Sequence, residues 1–533
     1  MSEQYDVVIA GAGHNSLICG AYLAKAGLRV LALEARDVIG GNTVSEELTV
    51  PGFLHDSCAS AHALFQASPT IRNNELGLDR YGLTYLKPDP VVTMPFEDGS
   101  SLTQWLDIDR TADEFARFSK RDGEAYRRLI AEYDSVKRIF NQHTYTPVGY
   151  GTDLDDALME RPDGAFWLRR YRQSALEVVN DYFEDDHCRA FMLWMSFMTI
   201  QPVDRPYTGR LAYAVVNGRQ YNSWTTPAGG SGMLPRALTA LIEDHGGAVL
   251  AGKPVSELVI ENGRCAGVVT EDGQTYRARQ AVVSTIHVKH LVNMAPAKYW
   301  GEVFTQGVEQ WQPGFTLFAA HYALSEPPLY PVGNERLPVV AGAVGGSSDN
   351  LLRLMNDIRR GRIHQDDPVL LVVCSTVVDG SRTPPGKHVL KVVSFFPYDL
   401  VEGGPARWDA IKEEVAQRNL DYLRKFAPNL TDDVILGKHV ESPLDLERRN
   451  RHNWRGSCHG GDLSPAQSGE MRPVAGWASH RLPIPGLYQT GATTHPGGSV
   501  SGGPGRNAAW VILDDLGISL ESVIAKKEAG QRA

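Results

Sequence analysis

Cysteine is scarce in this sequence. The six that occur (Cys19, Cys58, Cys188, Cys265, Cys374 and Cys458) are widely scattered, with no Cys-x-x-Cys pair and no zinc-like spacing. That argues against a disulfide scaffold and a cysteine-held metal centre, and predicts free thiols in a reducing compartment. Long apolar runs are missing too: nothing approaches the ~18 uninterrupted apolar residues of a membrane-spanning helix. The first apolar run begins at Tyr5, with no basic leader or cleavage-site pattern before it, so a cytoplasmic protein is expected, with peripheral membrane contact as the other option. Positive charge is in deficit, 53 Lys and Arg against 63 Asp and Glu for a net charge of −10, which disfavours bulk attraction to nucleic acid. No internal repeat, low-complexity tract or long linker appears. What remains is an ordinary globular composition, 42% apolar and 22% charged, over 533 residues, enough for a large core and more than one domain.

The opening residues are the most informative. Tyr5 to Ala10 (YDVVIA) predicts a short buried strand, Gly11-Ala12-Gly13 follows at once, and His14-Asn15-Ser16 leads into an Ala/Leu-rich helix that stops at Gly27. A second strand, Leu28 to Leu33, ends in Glu34. This is a βαβ unit of dinucleotide-binding type. Gly11 permits the tight turn, Gly13 lets the backbone approach a pyrophosphate, and the helix start offers unpaired N–H groups to it. Glu34, about 20 residues on, stands where an acid accepts hydrogen bonds from ribose hydroxyls and would repel a 2′-phosphate, which disfavours NADP. Ser16 replaces the third glycine of the usual pattern, a small change in helix-on-strand packing.

After Glu34 the chain reads Ala35-Arg36-Asp37-Val38-Ile39-Gly40-Gly41-Asn42-Thr43, a glycine doublet able to close over a long, extended ligand. Further on, Pro227-Ala228-Gly229-Gly230-Ser231-Gly232-Met233 precedes a helix and then alternating strands with turn pairs at Asn262-Gly263 and Asp272-Gly273. Near the end, Gln489-Thr490-Gly491-Ala492 and the glycine-rich stretch from Thr493 to Arg506 run into another helix. Such a loop can set N–H donors against an electron-rich ring.

In these blocks the sequence resembles the FAD-dependent amine oxidase and phytoene desaturase superfamily, in the branch of carotenoid desaturases and pyridine nucleotide-disulphide oxidoreductase domain-2-like proteins. The resemblance implies non-covalent FAD held by Gly11, Ala12, Gly13, Asn15, Ser16, Glu34, Ala35, Arg36, Gly40, Gly41, Asn42, Thr43, Val255, Gly491, Val500 and Ser501. The family's doublet is usually followed by arginine; here Asn42 stands there, so Arg36 or a helix dipole must compensate. No cysteine lies near Ser501, where covalently flavinylated relatives carry their attachment residue. The glycines at Val339 to Ser347 have the wrong spacing for a second nucleotide unit, and no redox cysteine pair of the disulphide-reductase type is visible.

The implied fold is α/β plus α+β: a Rossmann-like FAD-binding domain of the glutathione reductase/p-hydroxybenzoate hydroxylase type (residues 1–75, 225–290 and 441–533), interleaved with a mixed-sheet-plus-helices substrate-binding domain (residues 76–224 and 291–440). The run from Phe191 to Met198, rich in Met and aromatics, reads as core or as lining for an apolar substrate. The stretch from Leu351 to Arg362 reads as a helix packed on its own domain or a membrane-docking face. His495, in the closing loop, and His62 are the candidate acid/base residues, since imidazole titrates near neutrality; Arg506 is expected to brace the loop. The expected activity is oxidation of a C–C bond in an apolar small molecule by hydride transfer to flavin N5, with the electron acceptor (oxygen, quinone or nicotinamide) open. Alternatives are an isomerase or hydratase without net redox, an amine oxidase, and last a flavin-free carrier.

Overall fold

The computed structural model describes residues 4–526; residues 1–3 and 527–533, the outer ends of two segments assigned above to cofactor binding, lie outside the described residues. Tyr5–Ala10 sits inside a seven-stranded sheet. Val30–Leu33 pairs with it in parallel on one side (Val7 with Val30, Ala10 with Leu33) and Thr275–Ser284 in parallel on the other. Ala248–Leu250 extends the parallel set beyond Val30–Leu33, and Leu487–Gln489 extends it beyond Thr275–Ser284. Val7, Ile9, Val30 and Ala32 pack with the helices His14–Lys25, Met233–Asp244 and Gly503–Asp515. Val8, Leu31 and Leu33 turn the other way, against Val288, Trp300 and Phe304. Burial of both faces is why these strands lack the polar alternation of a half-exposed sheet.

The two turn pairs do what their chemistry requires. Val255–Glu261 turns into Arg264–Thr270 through Asn262-Gly263, and that strand turns into Thr275–Ser284 through Asp272-Gly273. The second sheet, also seven-stranded, is antiparallel except where Ala341–Val344 meets Val92–Pro95 in parallel. Its long neighbours Thr316–Leu324 and His388–Phe396 are in register along their whole length. The glycines at Val339 to Ser347 thus belong to a strand of this sheet and the turn into the helix Ser348–Arg359, and that strand is antiparallel to Leu370–Val373, not part of a parallel nucleotide-binding set.

The Met and aromatic run lies in the helix Asp186–Phe197 and packs into the core under the second sheet, leaving only Met198 on a cavity wall. The helix Ser348–Arg359 turns Leu351, Leu354, Met355 and Ile358 onto the same core. Its Arg353 and Arg359 pair with Asp366 and Asp204. No helix among the described residues is long and apolar enough to cross a membrane.

The first and last helices of the first sheet cross at Gly505, where a Cβ would stand 2.9 Å from that of Ile18 and would overlap the Asn15 carbonyl oxygen more deeply still. Gly505→Ala is therefore expected to cost about 1–3 kcal/mol through forced separation of these helices, read as a lowered midpoint of thermal unfolding. An unchanged midpoint would show that the crossing relaxes freely.

Candidate functional site

The parallel strands end together. Gly11 follows Tyr5–Ala10, Glu34 follows Val30–Leu33, Thr285 follows Thr275–Ser284 and Gly491 lies just beyond Leu487–Gln489; all four residues line one cavity of about 630 Å³. Ligands of open α/β sheets bind in this position, outside the carboxyl ends of the strands. The opposite wall is mostly apolar: the second sheet supplies Leu317, Leu371, Val373, Val393 and Phe395, and the helical segment adds Met198, Ile200 and Trp224, with Lys391 and Arg219 as the charges among them.

Glu34 is buried, yet both its oxygens are engaged by backbone: Oε2 accepts the Ala12 N–H at 2.9 Å and Oε1 the Arg36 N–H at 3.1 Å. Burial raises its carboxyl above the usual range, and these N–H groups oppose the rise. A carboxylate fixed in this way keeps lone pairs for a pair of ribose hydroxyls. Gly13 caps the first helix with an ordinary extended backbone (φ −73°), and a Cβ built there meets nothing within 4 Å. The space belongs to the cavity, which Gly13 lines. Arg36 binds Glu46 through Nη2 at 2.9 Å, while its buried Nη1 has no acceptor among the described residues. A bare cradle, a helix start and an unmatched guanidinium nitrogen fit an extended dinucleotide with a diphosphate at its middle.

Of the residues named for the cofactor, Gly11, Gly13, Asn15, Ser16, Glu34, Ala35, Arg36, Gly41, Asn42, Val255, Gly491 and Val500 line the cavity. Ala12, Gly40, Thr43 and Ser501 do not; they shape the wall from behind. The Gly40 N–H donates to the Ala12 carbonyl, Thr43 Oγ1 donates to the Gly40 carbonyl at 2.7 Å, and Ser501 Oγ accepts the Gly503 N–H.

Asn42, where the family's arginine was expected, has another task. Its amide exchanges hydrogen bonds with Asn453 and accepts from Asn450 Nδ2 at 3.1 Å, tying the glycine doublet to residues 450–458. That segment also brings Arg448, Arg449, Arg451, His452, Cys458 and His459 to the cavity. Arg448 is paired with Asp409, and Arg449 with Glu46 and Glu441; Arg451 is exposed and makes no ion pair among the described residues. This group was not foreseen in the sequence. The basic run from Arg448 to Arg451 was the available signal, but nothing local says which cavity it faces.

The acid/base candidates need correction. His62 is fully buried with both ring nitrogens committed, Nδ1 to the Tyr85 hydroxyl at 3.2 Å and Nε2 to Ser231 Oγ at 2.7 Å. His495 Nε2 takes the His143 carbonyl at 3.0 Å. Neither lines the cavity, and burial pulls each down to about 3, so both are neutral structural imidazoles near pH 7. The imidazoles that do reach the wall are His14, His287, His290, His452 and His459. Arg506 braces as expected, with Nε and Nη2 on the Glu75 carboxylate (2.8 and 3.1 Å) and Nη1 on the Tyr145 carbonyl.

All six cysteines are free. Cys58 and Cys458 stand together on the cavity wall, and the Cys458 thiol, followed by the Lys391 charge, lowers Cys58 below the usual thiol value.

The sequence model for flavin-containing amine oxidoreductases matches residues 17–513. A limonene dehydrogenase chain from Castellaniella defragrans is 27% identical over 99% of this chain and 100% of its own length. The lycopene-forming phytoene desaturase of Pseudescherichia vulneris is 25% identical over 96% of this chain and 99% of its own. An oxidoreductase structure from Methanosarcina mazei superposes with a TM-score of 0.61 at 17% identity, covering 96% of this chain and 99% of that one, a likeness of fold. Because the family match spans residues 17–513, the chain belongs to the family of flavin-containing amine oxidoreductases and is an FAD-dependent oxidoreductase.

Proposed function

We propose that the protein is a dehydrogenase or desaturase that oxidises a C–C bond of a largely apolar small molecule, with FAD held non-covalently. The observation that carries this reading is the cavity whose one wall is glycine, carboxylate and helix start and whose other wall is mostly aliphatic and aromatic. Relatives named for limonene and phytoene support an apolar substrate. Bound flavin would supply the acceptor for the hydride. The chain's own residues would do the rest: Gly13, Gly41 and Arg36 receive the diphosphate, Glu34 the ribose, and Val255 the adenine end. Leu317, Val373 and Phe395 exclude water from the substrate.

We assign residues 1–75, 225–290 and 441–533 to a Rossmann-like FAD-binding domain of the glutathione reductase/p-hydroxybenzoate hydroxylase type. Residues 76–224 and 291–440 form the substrate-binding domain in this division, apart from the stretch holding Trp300, Phe304 and Trp311, which packs on the first sheet. The electron acceptor follows from which of oxygen, a quinone or a nicotinamide reoxidises the reduced protein.

The test is anaerobic mixing of the yellow protein with unsaturated and saturated apolar candidates. Bleaching of oxidised flavin by one of them supports the reading. Turnover that starts only after dithionite reduction replaces it with an isomerase or hydratase. Glu34→Ala is expected to lower flavin content at least about tenfold, because it removes the acceptor for the ribose and also frees the Ala12 N–H. Undiminished flavin in that variant would remove Glu34 from the site.

A further inference from the structure

One charge in the apolar wall has nothing to balance it. Arg219 lies in the last turn of the helix Gly209–Asn222 and lines the cavity beside Met198, Ile200 and Trp224. Its guanidinium stacks on the Trp224 ring, 3.7 Å from the centroid. Its one hydrogen bond to protein runs from Nη1 to the Ser223 carbonyl at 3.5 Å, at the limit of such a contact, and it makes no ion pair among the described residues. The neighbouring indole N–H of Trp224 also lacks an acceptor among the described residues. Burial alone pulls the guanidinium down to about 9, with no carboxylate opposing the shift.

Arg219 itself is half-buried and open to the cavity, whereas the buried cations nearby are answered. Arg382 meets Asp56 at 3.0 Å, Arg472 donates to the carbonyls of Asp462, Gln467 and Ala492, and Lys391 donates to the Cys58 carbonyl with Asp56 and Glu441 close by. An arginine left unpaired in apolar surroundings is costly, and it offers several N–H donors in a planar fork that matches a carboxylate. A phosphate monoester fits poorly, since it would bring close to two negative charges to one cation in an apolar wall.

We propose that Arg219 anchors the carboxylate of an amphipathic substrate, a monocarboxylate on an apolar body, with that body lying along Met198, Ile200, Leu317 and Phe395. The proposal deepens the function above and rests on this cavity being the substrate site. The anchored end fixes the register of the apolar body, so the bond presented for oxidation lies at a set distance from the acid group.

The test uses the holoprotein, with decanoate and 1-decanol as probes of equal chain length, followed by titration calorimetry near pH 7. Wild type is expected to bind decanoate at least about tenfold more tightly than the alcohol. Arg219→Gln is expected to abolish that preference, and Arg219→Lys to keep part of it, both at undiminished flavin content. Equal binding of the two probes by wild type overturns the proposal, as does a preference surviving in Arg219→Gln. If Arg219→Gln fails to fold, Arg219→Lys carries the comparison: a preference undiminished in it assigns the carboxylate to another cation of the cavity, such as Arg451, and overturns the proposal. A colourless protein that still prefers decanoate sinks the flavin reading and leaves the anchor standing; a yellow protein without the preference does the reverse.

Discussion

Gly13→Val should give a protein that folds and is colourless. A Cβ at this position meets no atom within 4 Å, and the backbone is in an extended conformation open to any residue, so the apoprotein should lose no more than ~1 kcal/mol, the cost of a poorer helix cap. The same side chain fills the ground a diphosphate needs beside the start of the first helix, and flavin affinity is expected to fall by about 100-fold or more. Gly11→Val makes the contrast. Gly11 has a φ of +99°, and a Cβ there would overlap Thr285 Oγ1, so that variant should lose both fold and flavin. Thermal unfolding of the apoproteins together with flavin absorbance per mole separates the two cases. A Gly13→Val protein that stays yellow would move the cofactor elsewhere.

Acid should unfold this protein well before it reaches the range of carboxylate titration. Burial pulls His14, His321, His452, His459 and His480 down to about 4, and His62 and His495 to about 3. An imidazole whose folded value lies below its unfolded one, near 6.5, contributes stability that is complete above 6.5. That contribution is lost as the pH falls toward the folded value, because the unfolded chain takes up the proton first. At pH 5 each such residue costs about 2 kcal/mol, and three or four together rival the ~5–15 kcal/mol that stabilises a typical domain. The unfolding midpoint should therefore drop steadily from pH 7 to 5, with cooperative loss of structure near pH 5. A midpoint constant over that interval would mean that these rings accept protons in place.

These two predictions draw on different kinds of information. The Gly13 cradle was legible because its chemistry is local: strand, glycines, helix start and acid lie within the first 34 residues, and the strands pair as their apolar pattern requires. The hairpins at Asn262-Gly263 and Asp272-Gly273 were legible for the same reason, since a turn needs only its own residues. The buried imidazoles were not. His62 and His495 sit in segments that do approach the cavity, and sequence proximity to a glycine loop gives no direction for a side chain. Tyr85, Ser231 and the His143 carbonyl, which hold them away, come from distant parts of the chain. The Arg448 to His459 group was hidden likewise, because its contacts at the wall run to Asn42, far away in the chain.

The order of strands in the first sheet has a consequence for how the protein is made. Leu487–Gln489 pairs beside Thr275–Ser284, which pairs beside Tyr5–Ala10, so the sheet that contains Tyr5 is finished only when Gln489 has been made. At about 5–20 residues per second, a ribosome that has released the first strand needs on the order of half a minute or more to deliver the last one. Through that interval the nascent amino-terminal layer keeps an unsealed edge, and coenzyme capture must be a late, largely post-translational event that locks the finished polypeptide.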